Sequence, residues 1–261
     1  MSDFSPVYGP VRSWRYGKSL GIDPIGLVST CSFNCVYCQL GAIERLSLER
    51  QVFVPTQEIL PLMEQRKDEA VDVITLSGSG EPTLALNLGE IMAGVKRITT
   101  VPVVVLTNGT LLQVEVVRQD LALADEVSVK LDGVTLQRIN QINRPVFAWN
   151  LQDFFNNLLN FRKVYDGKLT IQTMIVSPWT QEEEQLYMEQ LRALQPKHIY
   201  LNNPRRPKPK SRLVEGRENL TAIANASWFK PISRDYLAGF AQRIHDYTGV
   251  PVSHVMEDYA F

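Results

Sequence analysis

The chain has 261 residues, of which 44% are apolar and 21% charged, and this ordinary globular composition excludes a disordered chain, a collagen and a coiled coil. The 27 basic and 28 acidic residues give a formal net charge of −1, which argues against a protein that coats nucleic acid. The first residues lack the basic and apolar segments of a signal peptide, and no apolar run is long enough to cross a bilayer. We therefore expect a cytoplasmic protein without membrane segments.

Short apolar runs alternate with helical patterns along the first half of the chain. The predicted strands are residues 20–28, 71–77 and 103–107, and the predicted helices are residues 56–70 and 86–99. Thr56 is expected to cap the first helix. The loop after the first strand holds all the cysteines, and residues 45–54 are expected to be extended. Gly-rich and Asn-Gly turns end the second and third strands.

The same alternation continues through the second half of the chain. The predicted strands are residues 126–131, 169–176 and 198–201, and the predicted helices are residues 111–123, 151–165, 181–194, 218–226 and 233–247. Six strands that alternate with helices predict a parallel sheet, and right-handed crossovers curl it toward a barrel. A closed barrel has eight such units. The expected fold class is therefore α/β, a partial (βα)6 TIM-like barrel with a short C-terminal helical extension.

This organisation predicts a single domain over residues 1–261. Its core is expected at about residues 20–202, and residues 203–261 are expected to form the C-terminal extension packed on the barrel.

The three cysteines of the chain, Cys31, Cys35 and Cys38, form the pattern C-x3-C-x2-C. An odd, clustered set is not a disulfide framework and indicates a metal or cofactor site. Three thiolates on a short loop suit a four-iron cluster in which one iron has no protein ligand. The alternatives are a structural zinc site, which needs a fourth Cys or His, a ferredoxin site, which needs a fourth Cys, and three unrelated buried cysteines.

The cysteine pattern, with Tyr37 before its last member, resembles the signature of radical S-adenosylmethionine (SAM) enzymes. The segment from Ser77 to Thr83, which contains Gly-Glu-Pro and follows the second predicted strand, resembles a second motif of that superfamily. Further segments resemble a small branch related to the tRNA wyosine synthases, so that the resemblance covers roughly residues 7–210. These segments are residues 8–11, 17–23, 39–41, 143–145 and 203–207.

The resemblance implies that Cys31, Cys35 and Cys38 bind a [4Fe-4S] cluster and that SAM chelates the fourth iron. One electron from the reduced cluster would cleave SAM and release a 5′-deoxyadenosyl radical that abstracts hydrogen from an unidentified substrate. An electron donor such as a flavodoxin or ferredoxin is implied, together with a small-molecule, peptide or tRNA substrate. Because one cluster uses all three cysteines, the chain has none left for the auxiliary cluster of wyosine synthesis.

The resemblance also implies which residues contact SAM. Tyr37 is expected near the adenine, and Gly78, Gly80 and Glu81 are expected to hold the methionyl amino group. Asn108, directly after the third predicted strand, and Ser128, on the fourth, are the remaining candidates for cofactor contact. The alternatives are that Tyr37 only shields the cluster, that Glu81 compensates a helix N-terminus, and that Asn108 forms a turn with Gly109.

Period-two patterning in residues 126–132 directs Ser128, Lys130 and Asp132 into the barrel and the intervening apolar residues toward the helices. On the fifth strand Thr170, Gln172 and Met174 share a face in the same way. The catalytic candidates are Lys130, Asp132 and Arg144. Lys130 replaces a ribose-contacting Ser of many radical SAM relatives, so it is expected on the substrate side or in an ion pair with Asp132. Arg144 is expected to hold an anionic group or to anchor its loop.

Five basic residues follow the last predicted strand: Arg205, Arg206, Lys208, Lys210 and Arg212. Such a run favours a solvated loop or a contact with RNA phosphates, although it contains no aromatic residue for base stacking. Three functions therefore compete: a radical SAM enzyme, a non-catalytic iron–sulfur protein for electron transfer or sensing, and an RNA-binding or tRNA-modifying protein.

Overall fold

The computed structural model describes residues 4–148, 150–218 and 225–255. Its centre is one curled sheet of eight strands. These are β1 (Val7–Ser13), β2 (Gly17–Ile22), β3 (Val73–Leu76), β4 (Val103–Thr107), β5 (Glu126–Lys130), β6 (Lys168–Met174), β7 (His198–Asn202) and β8 (Val252–His254). The strands lie side by side in this order. β1 pairs antiparallel with β2, and every later pair is parallel.

Seven α-helices in the described residues connect the strands. They are α1 (Thr56–Gln65), α2 (Leu88–Ile98), α3 (Glu115–Leu121), α4 (Leu136–Ile142), α5 (Leu151–Val164), α6 (Gln181–Leu194) and α7 (Arg234–Thr248). Outward-facing strand residues such as Val105, Val127 and Ile171 are fully buried in one core with Ile91 of α2 and Leu158 of α5. Helices on the outer face explain why the central strands are rich in β-branched residues. Within the described residues, none of these helices has the length and apolarity needed to cross a lipid bilayer.

The predicted partial barrel is confirmed, and its six predicted strands correspond to β2–β7. The first predicted strand, residues 20–28, lies too far toward the C-terminus, because β2 ends at Ile22. The carboxylate of Asp23 accepts hydrogen bonds from the backbone N–H groups of Ile25 and Gly26 and turns the chain there. Two edge strands were missed. β1 contains Pro10, which interrupts a strand pattern, and β8 has only three residues.

Three details of the helix predictions were wrong. Pro55, and not Thr56, is the N-cap of α1, and the Thr56 hydroxyl accepts a hydrogen bond from Asn87 Nδ2 at 3.0 Å. This helix ends at Gln65, earlier than predicted. α4 has only seven residues, which is too short for the periodic pattern to reveal it. The predicted helix over residues 181–194 is confirmed as α6.

One of the two helices predicted for the C-terminal extension lies within the described residues. The helix predicted over residues 233–247 is α7, whose Phe240 ring lies 5.8 Å from the rings of Trp179 and Tyr187. The helix predicted over residues 218–226 falls largely on residues 219–224, which lie outside the described residues. Before it, Val214–Arg217 form a single 3-10 turn, and after it Ala226–Ser227 pair with Lys208–Pro209. The extension also contributes β8 to the main sheet.

The turn between β1 and β2 closes the amino-terminal end of the barrel. The rings of Trp14 and Tyr16 lie 5.9 Å and 5.7 Å from the ring of Tyr200 on β7. The Tyr16 hydroxyl donates a hydrogen bond of 2.9 Å to Glu126 at the start of β5, and Thr170 donates to the same carboxylate at 2.8 Å. The turn therefore spans from β2 to β7 and forms a floor under the barrel interior.

Candidate active site

A cleft of about 360 Å³ opens into the barrel, with the loops at the carboxyl ends of its parallel strands around it. This is the end at which β/α barrels build active sites. Nine of the twelve predicted site residues line the cleft: Cys31, Cys35, Tyr37, Cys38, Gly78, Gly80, Glu81, Asn108 and Lys130. The fold thus brings together residues from loops that are far apart in sequence.

The cysteine loop is held at both ends by backbone hydrogen bonds. Thr30–Cys31 pair in parallel with Arg45–Leu46, so a short ladder anchors its start. The backbone N–H of Val36 donates to the Ile142 carbonyl at 2.9 Å, at the C-terminus of α4. The residues predicted to be extended over 45–54 form only the short strand Arg45–Leu46 and an isolated bridge at Gln51. These contacts set the loop conformation before any ligand binds.

The cysteine side chains are free thiols that face the cleft. Asn108 Nδ2 lies 3.8 Å from Cys31 Sγ, and Asn143 Nδ2 lies 3.5 Å from Cys35 Sγ. Burial raises the pKa of all three thiols, that of Cys35 to about 12. The thiolate forms therefore need a cationic partner, and amide donors stand beside two of the sulfur atoms. This donor set fits an iron–sulfur cluster with thiolate ligands.

A single metal ion does not fit the same residues. Across residues 4–148, 150–218 and 225–255, no three Cys, His, Asp or Glu side chains converge on a position for one ion. A structural zinc site needs four ligands at roughly 2.0–2.3 Å from the metal. The described residues therefore bring together no set of ligands for a structural zinc ion.

Asp132 anchors the cysteine loop from beneath. Its carboxylate accepts hydrogen bonds from the Tyr37 hydroxyl, from Asn143 Nδ2 at 2.6 Å and from the Met174 N–H at 2.8 Å. Burial and the nearby Asp132 charge raise the pKa of Tyr37 well above its usual value, so the phenol stays protonated and donates. Asp132 is 1% exposed and does not line the cleft. Its contacts are those of a positioning residue, and the predicted catalytic role is not supported by its position.

Lys130 pairs with Asp132, which is one of its two predicted settings. Its Nζ lies 3.8 Å from Asp132 Oδ2 and 5.2 Å from the centroid of the Tyr37 ring. Its side chain nevertheless keeps 22% of its surface exposed and lines the cleft. The ion pair therefore orients the ammonium group without removing it from the cavity.

The Gly-rich turn after β3 packs directly on neighbouring backbone. Gly78 has a φ of 120°, and a Cβ at this position would collide with the Asp23 side chain. The Ser79 N–H donates to the Asp23 carboxylate at 3.0 Å. A Cβ at Gly80 would collide with the Thr30 carbonyl, which accepts the Glu81 N–H at 3.1 Å. Glycine is therefore required at both positions, and the turn is bonded to the start of the cysteine loop.

Glu81 is buried between the ends of β3 and β4. Its Oε1 accepts from the Thr83 N–H, the Thr83 hydroxyl and the Thr107 hydroxyl at 3.1, 2.7 and 2.6 Å. Its Oε2 accepts only the Asn108 N–H, at 2.8 Å. Burial raises the pKa of Glu81, although these hydrogen bonds lower it. The carboxylate therefore ties the Asn108 backbone at the end of β4 to the Gly-rich turn after β3.

Replacing Glu81 by alanine is expected to weaken SAM binding by about tenfold while the cluster persists, because Asn108 loses its anchor. Equilibrium dialysis of radiolabelled SAM and iron analysis of the same anaerobic sample measure both effects. Glu90→Ala, on the exposed face of α2, is the matched control. Unchanged SAM affinity would assign Glu81 a structural role only, and loss of iron would show that the variant disturbs the cysteine loop.

Two predicted residues lie away from the cleft. Ser128 points into the barrel interior and is fully buried below the cleft, and its hydroxyl has no hydrogen-bond partner in the described part of the chain. Arg144 is exposed on the turn after α4, with a φ of 49°. Its carbonyl accepts the Asn34 N–H at 3.2 Å, so it anchors the loop through its backbone. The predictions of cofactor contact by Ser128 and of catalysis by Arg144 are therefore not supported by position.

Sequence reasoning missed the ion pair that supports the Gly-rich turn. Arg217 Nη1 lies 3.0 Å from Asp23 Oδ2, and their side chains are only 5% and 0% exposed. The guanidinium also lies 4.7 Å from the ring centroids of Phe4 and Tyr8. Asp23 directly follows β2, which is a recognisable position for a site residue. Arg217 is almost 200 residues away in sequence and gave no signal.

The basic run after β7 packs over the cysteine loop, and this corrects its interpretation as a solvated loop. Arg206 donates to Gln39 at 2.7 Å, and Lys208 donates to the Cys35 carbonyl at 3.3 Å. Arg212 bonds Glu44 at 3.1 Å and the Ser79 hydroxyl at 3.0 Å. These charges serve contacts within the chain, so the run offers little support for an RNA site.

Comparison with known proteins gives the family. Residues 25–189 match the model of the Radical SAM superfamily, which is more than half of the chain. A relative at 49% identity over 253 residues is the UPF0026 protein slr1464 of Synechocystis, with 95% of this chain and 96% of that protein covered.

Two solved structures share the fold. Streptococcus suis SuiB bound to S-adenosylmethionine matches with a TM-score of 0.64 at 13% identity, over 91% of this chain and 50% of SuiB. The chain thus spans about half the length of SuiB. TYW1 with a lysine-pyruvate adduct matches with a TM-score of 0.58 at 15% identity, over 87% of this chain and 73% of TYW1. The match to the superfamily model, the 49% identical relative and the shared fold agree, and the chain belongs to the radical SAM superfamily of enzymes.

Proposed function

We propose that this chain binds a [4Fe-4S] cluster through Cys31, Cys35 and Cys38 and cleaves SAM reductively in the same cleft. The observation that carries the proposal is the placement of all three thiols opposite the Gly78–Glu81 turn within one cavity. When bound and reduced, the cluster supplies one electron that splits SAM into methionine and a 5′-deoxyadenosyl radical, which takes a hydrogen atom from the substrate.

The residues of the chain prepare the cleft for both groups. Asn108 and Asn143 present amide donors to the sulfur ligands, which stabilise thiolates. Gly78 and Gly80 line the cleft beside the cysteine loop, where their backbone would meet the methionyl group. Tyr37, held by Asp132, offers its ring as a wall for the adenosyl group. The protein therefore positions the cofactor and excludes water, while the cofactor carries the chemistry.

Reduction needs an external donor, because the three cysteines of the chain are all assigned to this one cluster. A flavodoxin or ferredoxin would supply the electron. The substrate remains a small molecule, a peptide or a tRNA nucleotide. No contact in the described residues singles out RNA, since most of the basic run is bonded within the chain.

The test is anaerobic turnover of the reconstituted protein with SAM and dithionite, followed by chromatographic detection of 5′-deoxyadenosine. The proposal predicts that product accumulates with time and in proportion to the protein, above a control with iron, sulfide and dithionite alone. A protein that holds a reducible cluster and yields no 5′-deoxyadenosine would contradict it and favour the electron-transfer or sensor alternative.

A further inference from the structure

The charge in the cleft is unbalanced. Six basic residues line it: Arg12, Arg15, Lys130, Arg205, Arg206 and Arg217. Glu81 is the one acidic residue among the described residues that line it, and its carboxylate already accepts four hydrogen bonds. Arg217 is paired with Asp23, and Lys130 with Asp132. Arg15 differs from these two because no acidic side chain among the described residues pairs with it.

Arg15 reaches into the barrel from the turn between β1 and β2. Its Nη1 donates to Gln172 Oε1, a neutral acceptor on the interior face of β6. Its Nε is buried without any hydrogen-bond partner in the described part of the chain. No Asp or Glu in that part lies within ion-pairing distance of its guanidinium, whereas eleven other basic side chains have such a partner. A partly buried cation without a counter-charge is costly unless an anion joins it.

Gln172 connects Arg15 to Lys130. Gln172 and Lys130 are register partners on adjacent parallel strands, so their side chains leave the same face about 4.8 Å apart. Gln172 Nε2 donates to the Ser128 carbonyl at 3.3 Å, which fixes the orientation of its amide. The amide oxygen therefore faces Arg15, and the neighbouring Lys130 side chain carries its ammonium group to 5.2 Å from the centroid of the Tyr37 ring. The two cations thus flank one interior wall.

We propose that Arg15 and Lys130 bind an oxyanion of the substrate, a carboxylate or a phosphate, on this wall below the cysteine loop. The inference rests on the proposed function, because the molecule held there is the one that loses a hydrogen atom. Arg15 comes from the turn at the amino-terminal ends of the strands and Lys130 from the end of β5 near Tyr37, so the proposed site adjoins the SAM site in the same cleft. The substrate class is therefore an anionic molecule that enters the barrel. The planar fork of Arg15 suits either oxyanion.

The test titrates sodium phosphate and sodium succinate separately into cluster-loaded, SAM-bound protein in an anaerobic calorimeter. The wild-type protein is expected to bind one of these anions saturably, with a dissociation constant of roughly millimolar size. Arg15→Gln and Lys130→Met are each expected to weaken that binding by about tenfold, because each removes a charge-assisted hydrogen bond. Arg15→Lys keeps the charge and is expected to retain part of the affinity.

Arg97→Gln is the matched control, because Arg97 is exposed on α2 outside the cleft, and it is expected to bind the anion as the wild type does. Iron content and circular dichroism show whether each variant is folded. Binding of phosphate alone or of succinate alone supports the site and selects the phosphate or the carboxylate class. Absence of saturable binding of both anions, or equal binding by Arg15→Gln and Lys130→Met, would overturn the inference.

The same samples separate this inference from the proposed function. SAM cleavage without an Arg15-dependent anion site would leave the function standing and remove the substrate class. An Arg15-dependent anion site in a protein that does not cleave SAM would support the anion site and contradict the proposed function. Calorimetry can detect this case because it needs no turnover.

Discussion

Cys35→Ala is expected to leave the reconstituted protein with less than about one iron per chain and without 5′-deoxyadenosine formation. Two thiolates are too few to hold a four-iron cluster whose fourth iron must stay open. Cys35 is half-buried beside Asn143 and Lys130, neither of which offers a thiolate in its place. Iron and sulfide analysis, the visible spectrum of the anaerobic protein and the SAM cleavage assay measure the result.

Val36→Ala is the matched control in the same loop. Its side chain does not line the cleft, and its backbone bond to Ile142 is kept. This variant is expected to hold about as much iron as the wild type. A Cys35→Ala protein with a full four-iron complement would contradict the assignment of the ligands.

Arg217→Met is expected to destabilise the protein by about 3–5 kcal/mol, because it leaves the Asp23 carboxylate buried without its counter-charge. The same carboxylate holds the Ser79 N–H, so the Gly-rich turn also loses support and SAM binding should weaken. Urea denaturation of the apoprotein measures the first effect, and SAM dialysis of the loaded protein measures the second.

Arg97→Met removes an exposed arginine from α2 and is expected to change stability by less than about 0.5 kcal/mol. If Arg217→Met is no less stable than this control, the ion pair makes no net contribution. The double variant Arg217→Met, Asp23→Asn is a second, independent check on the same ion pair. It is expected to recover part of the stability, because the buried charge is gone.

Local patterns predicted the part of the site that lies on one loop or at one strand end. Cys31, Cys35 and Cys38 are close in sequence, and Gly78–Glu81 directly follow a strand that its apolar run revealed. Period-two alternation placed Lys130 and Gln172 on the interior face, as β5 and β6 confirm. Such features depend only on residues that are close together in the chain, so they can be predicted from a single sequence.

Long-range packing supplied the rest, and single-sequence patterns do not encode it. Arg217 meets Asp23 only after the C-terminal segment folds over the Gly-rich turn. Arg15 reaches Gln172 because the turn between β1 and β2 spans the barrel. Asp132 follows the interior alternation of β5, yet its hydrogen bonds to Tyr37 and Met174 hold it out of the cleft. Periodicity predicts the face of a strand, and the hydrogen-bond partners decide what the side chain does.

The most direct test of the central claim is electron paramagnetic resonance of the dithionite-reduced, anaerobic protein with and without SAM. The structure has three thiols around one cleft and a Gly-rich turn opposite them, so the account predicts a reduced [4Fe-4S] signal that changes when SAM is added. A cluster signal that is the same with and without SAM would contradict the claim that the open iron binds SAM. Absence of any cluster signal after reconstitution would contradict the ligand assignment itself.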